Sequence, residues 1–426
     1  MLDIKLIREQ PEKVLENLAK RNDPQYVHML HEIIETDRER LEVLQESEKL
    51  RQQRNTITKR IAKLLAQGKD STASMKEAEE IPKNIKKFDE RLAELDERCR
   101  QLLLRIPNML HGSVPTGKDD KDNAEVARWG QRRWEFTPKN HLEIAENLGL
   151  IDIERAAKVS GHGFYYLKDH LAMLEMAIQK FAVDFLTKKG FTLIQPPLML
   201  QRKAYEGVTS LADFEDVLYK IDGEDLYTIA TSEHSMAAMY MNETLLSDAL
   251  PIKLAGVSPC FRKEVGAHGK YTRGLFRVHH FNKVEQFVFC LPEDSWQLHE
   301  ELQRNSEELY RQLGIPYRVV NVCTGDIGII AAKKYDIEFL MADGNYREIG
   351  SNSNCTDYQA RRLNIKYREK EGTPPKGFVH TLNNTALATS RTLVAILENY
   401  QQEDGSIAIP EPLQPYMNGV KVIQKR

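Results

Sequence analysis

Cysteine is scarce and scattered in this sequence: Cys99, Cys260, Cys290, Cys323 and Cys355 are the only five, and none forms a C-x-x-C pair. That usage argues against a zinc knuckle or a disulfide framework and fits a reducing compartment, so a cytoplasmic location without zinc is expected. Long apolar runs are also missing. The opening MLDIKLIREQPEKV carries charges within its first few residues, which speaks against a secretory leader or a membrane span. An organellar presequence is not expected either, although a processed chain would read the same. There is no large charge excess: formal net charge is -3 over 426 residues, so any contact with nucleic acid must come from a local patch. What is present, 41% hydrophobic and 29% charged residues, is ordinary for a globular chain long enough for two or three domains.

Glycine is nearly absent up to about residue 106, where Glu, Lys, Arg, Leu and Gln dominate. Pro11 is placed to begin a helix, and two long helices follow. In the second, Ile81, Ile85, Phe88, Leu92, Leu95, Cys99, Leu102 and Ile106 are spaced 4-3-4-3-4-3-4, the seam of a coiled coil. The first repeats this spacing through Leu30, Ile34, Asp37, Leu41 and Leu44, then crosses polar positions before Ala62 and Leu65. The turn signal Gln67 to Thr72 joins them, so an antiparallel hairpin over about residues 28–106 is predicted, and helices of roughly 40 residues would extend about 60 Å. Its charge is uneven. Lys49, Arg51, Arg54, Lys59, Arg60, Lys63 and Lys69 occur without an acidic residue among them, and Lys83, Lys86 and Lys87 return to the same end. A basic tip suits a phosphate backbone; it equally suits the solvated face of a dimerising coiled coil.

The sequence predicts a first domain over 1–108, a polar linker over 109–130 containing PTGKDDKDN, and a second domain over 131–426. In the second domain, helices are expected at His141 to Leu148 and Leu171 to Leu186. Strands are expected at Phe191 to Ile194, Leu218 to Ile221, Leu226 to Ile229, Phe276 to Phe281, Glu285 to Cys290 and Tyr317 to Val322. Short turns such as Asp222-Gly223-Glu224-Asp225 imply antiparallel pairing. The fold class is α+β: a helical arm plus a mainly antiparallel sheet flanked by helices.

The most informative stretch is Phe261-Arg262-Lys263-Glu264, a basic loop from Val265 to Gly274, then Arg277-Val278-His279-His280-Phe281. Arg262 can clamp a carboxylate or phosphate bidentately. Glu264 offers an acceptor to an exocyclic amine, and Phe281 a flat face for a purine. His268, His279 and His280 lack metal-ligand spacing and read as loop and strand residues, and Gly161-His162-Gly163-Phe164 as a loop into a short strand.

This stretch resembles motif 2 of class II aminoacyl-tRNA synthetases. Gly190 to Pro197 resembles motif 1, the dimer-forming element, and Leu387 to Asn399, with Arg391, resembles motif 3. Within that class the chain resembles the seryl-tRNA synthetase family over essentially its whole length, through Thr231-Ser232-Glu233, Phe281 to Gln286, Glu348 to Cys355, His380 to Asn383 and Pro415 to Gly419. The resemblance implies an enzyme that activates L-serine with ATP and transfers it to the 3' end of tRNA(Ser), and of tRNA(Sec) where present. The hairpin would be its tRNA-binding arm, the second domain its catalytic part, and the protein a homodimer.

By motif, Arg262 would contact the serine carboxylate and α-phosphate, with Lys263 and Glu264 beside the nucleotide and Glu264 on the adenine amine. Phe281 would stack on adenine, the Val278 backbone lining the same site. Thr231, Ser232, Glu233, Glu285, Asn383 and Thr385 would form the serine pocket. Glu348 would hold Mg2+ with ATP, next to Ile349, Gly350 and Ser351, and Arg391 would meet the γ-phosphate. The catalytic set is thus Arg262, Glu348 and Arg391. The motif 3 segment departs from the class pattern: it is glycine-free, and Asn384-Thr385 stands where many members have Gly-Ser. Two other readings are a seryl-adenylate ligase with a non-tRNA acceptor and an inactive paralogue that uses the coiled coil for binding or regulation. The basic arm argues against the first, and the presence of Arg262, Glu264, Glu348 and Arg391 against the second.

Overall fold

The computed structural model describes residues 1–131, 134–210, 215–264 and 274–425. It divides into two compact units, Met1–Pro107 and Asn108–Arg426. His268 and the basic loop before Gly274 lie outside the described residues.

The first unit contains α1 (Ile4–Glu9), α2 (Pro11–Ala19), α3 (Pro24–Ala66) and α4 (Thr72–Arg105). Pro11 and Pro24 stand in the first turns of their helices, where a missing N–H costs nothing. Every predicted seam residue from Ile81 to Ile106 is buried or half-buried. The predicted seam of α3 holds only in part. Leu30 and Asp37 are buried and Ile34 and Leu44 half-buried, but Leu41 and Leu65 are 40% and 56% exposed, and Ala62 is exposed as well. Beyond Leu44 the buried track runs through Ser47, Leu50, Ile57, Ile61 and Leu64. Polar residues occupy this seam and cancel a strict heptad phase. The Ser47 hydroxyl donates to Asp89 at 3.1 Å, and Arg51 donates to both oxygens of the same carboxylate at 2.8 Å. Asp37 is buried because Arg8 of α1 donates to it at 2.7 Å. Pairs such as Arg91–Glu39 and Arg51–Asp89 run in opposite senses along the two helices. Exposed pairs of this kind contribute at most about 1 kcal/mol each, so the apolar track holds the hairpin.

The large sheet of the second unit has eight strands: β1 (Ala124–Trp129), β2 (Thr192–Ile194), β3 (Ile252–Phe261), β4 (His280–Cys290), β5 (Tyr317–Asn321), β6 (Lys333–Leu340), β7 (Tyr346–Asn354) and β8 (His380–Ala388). Their order is β1-β5-β6-β7-β8-β4-β3-β2, and only the β2/β3 pair is parallel. Helices α5 (Asp169–Lys188), α7 (Ser295–Gln312) and α9 (Thr389–Asn399) pack on one face. Leu174, Ile178, Leu302, Leu309, Leu393 and Ile396 from these helices share a core with Val284, Val288, Leu382 and Leu387 of the sheet. Two short helices, α6 (Ser232–Ala237) and α8 (Tyr358–Leu363), belong to the site described below.

Three expectations need correction. Residues 109–130 are not a linker: Asn108 and His111 bond to the backbone of Ile329 and Ala332, and β1 pairs with β5. Phe276 to His279 precede β4 rather than forming part of it. Leu218 to Ile221 contributes a single bridge, Lys220 to Tyr227, although the turn over Asp222 to Asp225 is there. The sequence sets no bounds for β3, β6, β7 or most of β8, and much of β7 and β8 is polar yet buried.

The distal cluster of the hairpin, Ile57, Ile81 and Ile85, has few other apolar neighbours. Ile57→Ala or Ile81→Ala should cost this unit about 2–5 kcal/mol. In hydrogen exchange, amides of the distal halves of α3 and α4 should then exchange faster, with the second unit unchanged.

Candidate active site

Side chains alternate across a strand, so β4 presents Lys283 and Glu285 on one face and Val284 and Gln286, packed under the helices, on the other. Register extends the first face across the sheet. Glu285 lies opposite Gly256 of β3 and Thr385 of β8, and Asp336 of β6 lies opposite Ser351 of β7. Two bulges adjust this face. One falls between Thr385 and Leu387 in β8. The other leaves Ile349 as an extra residue in β7. Ile349 is 1% exposed within the core, and Asn352 binds backbone and side chain of α7. Glu348 and Ser351 therefore share the opposite, open face. Gly350 is needed there: a Cβ would come within 3.0 Å of Thr385 Cβ.

One end of this face gathers carboxylates. Glu285 is buried in a close ion pair with Lys283, and Thr385 Oγ1 donates to the same Oε2 at 3.4 Å. Thr231 caps α6, its hydroxyl accepting from the Glu233 N–H at 3.2 Å. Glu233 Oε1 accepts from Asn383 Nδ2 at 3.1 Å and Gln359 Nε2 at 3.2 Å. Burial, and then the nearby Glu285 charge, push the Glu233 carboxyl up to about 7, against Lys283, Gln359 and Arg262. Ser232 keeps a buried hydroxyl without a partner among the described residues. Across from Glu285, a Cβ at Gly256 would lie 2.6 Å from Met236 Cε and 3.0 Å from Ser232 Oγ, so the floor admits no side chain there.

The other end gathers cations. Arg391 Nη1 donates to the Glu348 backbone carbonyl at 2.9 Å and lies 3.3 Å from its carboxylate. Burial opposes the charged form of Glu348, yet Arg391, then Lys334, Arg262 and Arg277, hold its carboxyl well below the usual range. Arg262 and Arg391, 129 positions apart by their numbers, thus bear on one group. Arg262 Nε donates to the Ala230 carbonyl at 3.2 Å, and its guanidinium stands 5.3 Å from the Phe281 ring centre. Burial pushes Asp336 upward, with Lys334 opposing at 3.1 Å.

Other expected residues are placed less simply. Glu264 has φ +47° and is paired with Arg277 at 3.1 Å. Lys263 turns to the Tyr219 ring, 5.8 Å from its centre. Val278 packs in a cluster with Cys260, Phe281 and Ala388. Ile349 points into the core, so only its backbone can reach a ligand. Asn384, one of the departures from the class pattern, turns away from the pocket, its Oδ1 accepting from Gln286 Nε2 at 2.6 Å. Sequence reasoning missed Lys283, Gln359, Lys334 and Asp336. The i, i+2 spacing of Lys283 and Glu285 in a strand was a usable signal; Gln359 and Lys334 carried none.

On the hairpin, Lys49 pairs with Glu46 at 2.6 Å, Arg51 with Asp89, and Arg60 with Glu77. Glu77 and Glu80 on the returning helix reduce the basic excess there. Arg54, Lys59 and Lys63 are exposed and form no ion pair among the described residues.

Residues 1–110 match the seryl-tRNA synthetase N-terminal domain family, and residues 217–400 match the tRNA synthetase class II core domain (G, H, P, S and T). A serine--tRNA ligase of Methanocella arvoryzae is 53% identical over 425 residues, covering 99% of this chain and 100% of that one. The crystal structure of seryl-tRNA synthetase from Pyrococcus horikoshii, complexed with ATP, superposes with a TM-score of 0.97 at 48% identity over all of both chains. Cytoplasmic serine-tRNA ligase from Naegleria fowleri, in complex with AMP, gives 0.91 at 35% identity, covering 100% of this chain and 99% of that one. A sheet face with paired carboxylates at one end and converging guanidiniums at the other, together with likeness over the whole length, means that the chain belongs to the seryl-tRNA synthetase family.

Proposed function

We propose that the protein activates L-serine with ATP, forming seryl-adenylate and pyrophosphate, and transfers the seryl group to the 3' end of tRNA. The observation that carries this reading is Arg391 at 3.3 Å from the Glu348 carboxylate, with Arg262 and Arg277 in electrostatic reach of the same group, together with the Glu233 and Glu285 pocket. Serine carboxylate must attack the α-phosphorus, so two anions have to be held together. Fixed guanidiniums offset that repulsion, and no protein nucleophile is required. Arg262 bridges the serine carboxylate and α-phosphate, and Arg391 takes the γ-phosphate end. Glu264 accepts from the adenine amine, Phe281 provides the stacking face, and the Val278 and Ile349 to Ser351 backbones line the nucleotide.

In the pocket, Glu233 takes the serine ammonium and Glu285 accepts its hydroxyl. Alanine would offer Glu285 no hydroxyl to accept from. Threonine meets a floor already filled by Met236 and Ser232.

Among the described residues no cluster of three His, Cys, Asp or Glu side chains could hold a metal. Magnesium at phosphate sites needs only one or two carboxylates with phosphate oxygens. Ionised Glu348, 43% exposed and on the same face as Ser351, fits that requirement. When bound with ATP, Mg2+ would neutralise phosphate charge there. Support for a homodimer comes from exposed Met176 (70%) on α5 and Leu193 (46%) on β2, in the motif 1 segment. No helix of the described residues is long and apolar enough to cross a membrane, and translation of this kind belongs in the cytoplasm. The unpaired Arg54, Lys59 and Lys63 support the hairpin as the tRNA-binding arm.

Arg262→Ala should lower serine-dependent ATP–pyrophosphate exchange by about 100- to 1000-fold while leaving thermal melting unchanged; exchange at a near-normal rate would refute the role. The Glu233 carboxyl, raised from an ordinary 4.5 to about 7, favours the folded state while protonated, and that contribution is lost as pH rises through 7. Ionised Glu233 binds an ammonium better, so serine KM should fall over the same rise. Glu233→Gln should flatten both the melting-temperature profile and the KM profile. Replacing Arg54, Lys59 and Lys63 together by Ala should spare exchange but raise the tRNA KM in charging assays. The logarithmic salt slope should shrink by about 0.7–0.9 for each phosphate that the arm no longer neutralises.

A further inference from the structure

Lys283 is almost fully buried, with 6% of its side chain exposed, and the Glu285 side chain beside it is 1% exposed. Burying two charges is costly unless each satisfies the other, and a buried carboxylate without a counter-charge is costlier still. The two residues share a strand face two positions apart, so their contact follows from the pleat of β4 and not from a flexible loop. Lys283 and Thr385 both engage Glu285 Oε2. The field of Lys283 reaches further into the pocket: it opposes the upward shift of Glu233, and after burial it is the largest influence holding His234 neutral.

We infer that Lys283 is a positioning residue for amino-acid selection. Its ammonium supplies the counter-charge of buried Glu285 and holds that carboxylate in place as the acceptor that demands a hydroxyl on the substrate. This rests on the reading of Glu285 as the partner of the serine hydroxyl. Without Lys283, Glu285 would have to take up a proton or turn to another cation, and Arg262 also bears on this pocket. Either change would make serine and alanine more alike to the site.

The test is a double-mutant cycle on the full chain, with Lys283→Met, Glu285→Gln and the two combined, read by ATP–pyrophosphate exchange with serine and with alanine. Lys283→Met should lower kcat/KM for serine by about 10- to 100-fold, through serine KM and with ATP KM unchanged. The ratio of serine to alanine activation should fall with it. In the E285Q background the same replacement should cost little, because nothing remains for Lys283 to hold. Should Lys283→Met fail to fold, Lys283→Arg carries the same cycle: it keeps the charge but moves it, so serine KM should rise in the unaltered background and not in E285Q. Costs that multiply in an active protein, or a loss confined to ATP KM, would overturn this inference alone. Absence of serine-dependent exchange by the unaltered protein would overturn the functional reading and this inference together.

Discussion

A site that joins an amino acid to a nucleotide must hold several charges of like sign within a few ångströms. In this protein the need is met on one face of an antiparallel sheet, where three acids are each faced by a base or by amide donors. Glu285 has Lys283 and Thr385, Glu233 has Asn383 and Gln359, and Glu348 has Arg391, with Arg262, Arg277 and Lys334 in electrostatic reach. The matching is incomplete at Glu233, whose carboxyl is pushed up to about 7 by burial and by Glu285.

The face is rigid for reasons that lie behind it. Gln286, Asn384, Asn305 and Ser306 form a buried hydrogen-bonded group between β4, β8 and α7, and Asn352 and Asn354 bind the same helix. Hydrogen-bonded polar groups in a low-dielectric core fix register more strictly than apolar contacts do. The two bulges then determine which residues of β7 and β8 reach the open side. A shift by one residue would send Glu348 and Thr385 into the core and bring Ile349 and Asn384 out. In the glycine-poor motif 3 segment, Asn384 belongs to the supporting network and Thr385 faces Glu285.

Much of this was legible from residues alone, but unevenly. The returning helix of the hairpin read correctly because its apolar residues keep a strict heptad, whereas α3 misled beyond Leu44, where Ser47 takes a seam position with a partner, Asp89, from the other helix. The bounds of β6 to β8 were not legible because their buried positions include Asp336, Asn352, Asn354, Asn383 and Asn384, which periodicity arguments score as exposed. The stretch before β1 read as a linker because it is polar, yet Asn108 and His111 find backbone partners in the second unit.

By itself the sequence determined the division into a helical hairpin and an α+β unit, the antiparallel sense of the sheet, and the residue types gathered for carboxylate and phosphate chemistry. Those properties follow from local periodicity and from side-chain chemistry, which the order of residues carries directly. The tertiary structure alone decided which face each of several other residues joins: Gln359 on Glu233, Ile349 into the core and Arg391 onto Glu348. Each of these depends on register and on bulges, set by partners far away along the chain, and no local pattern encodes them.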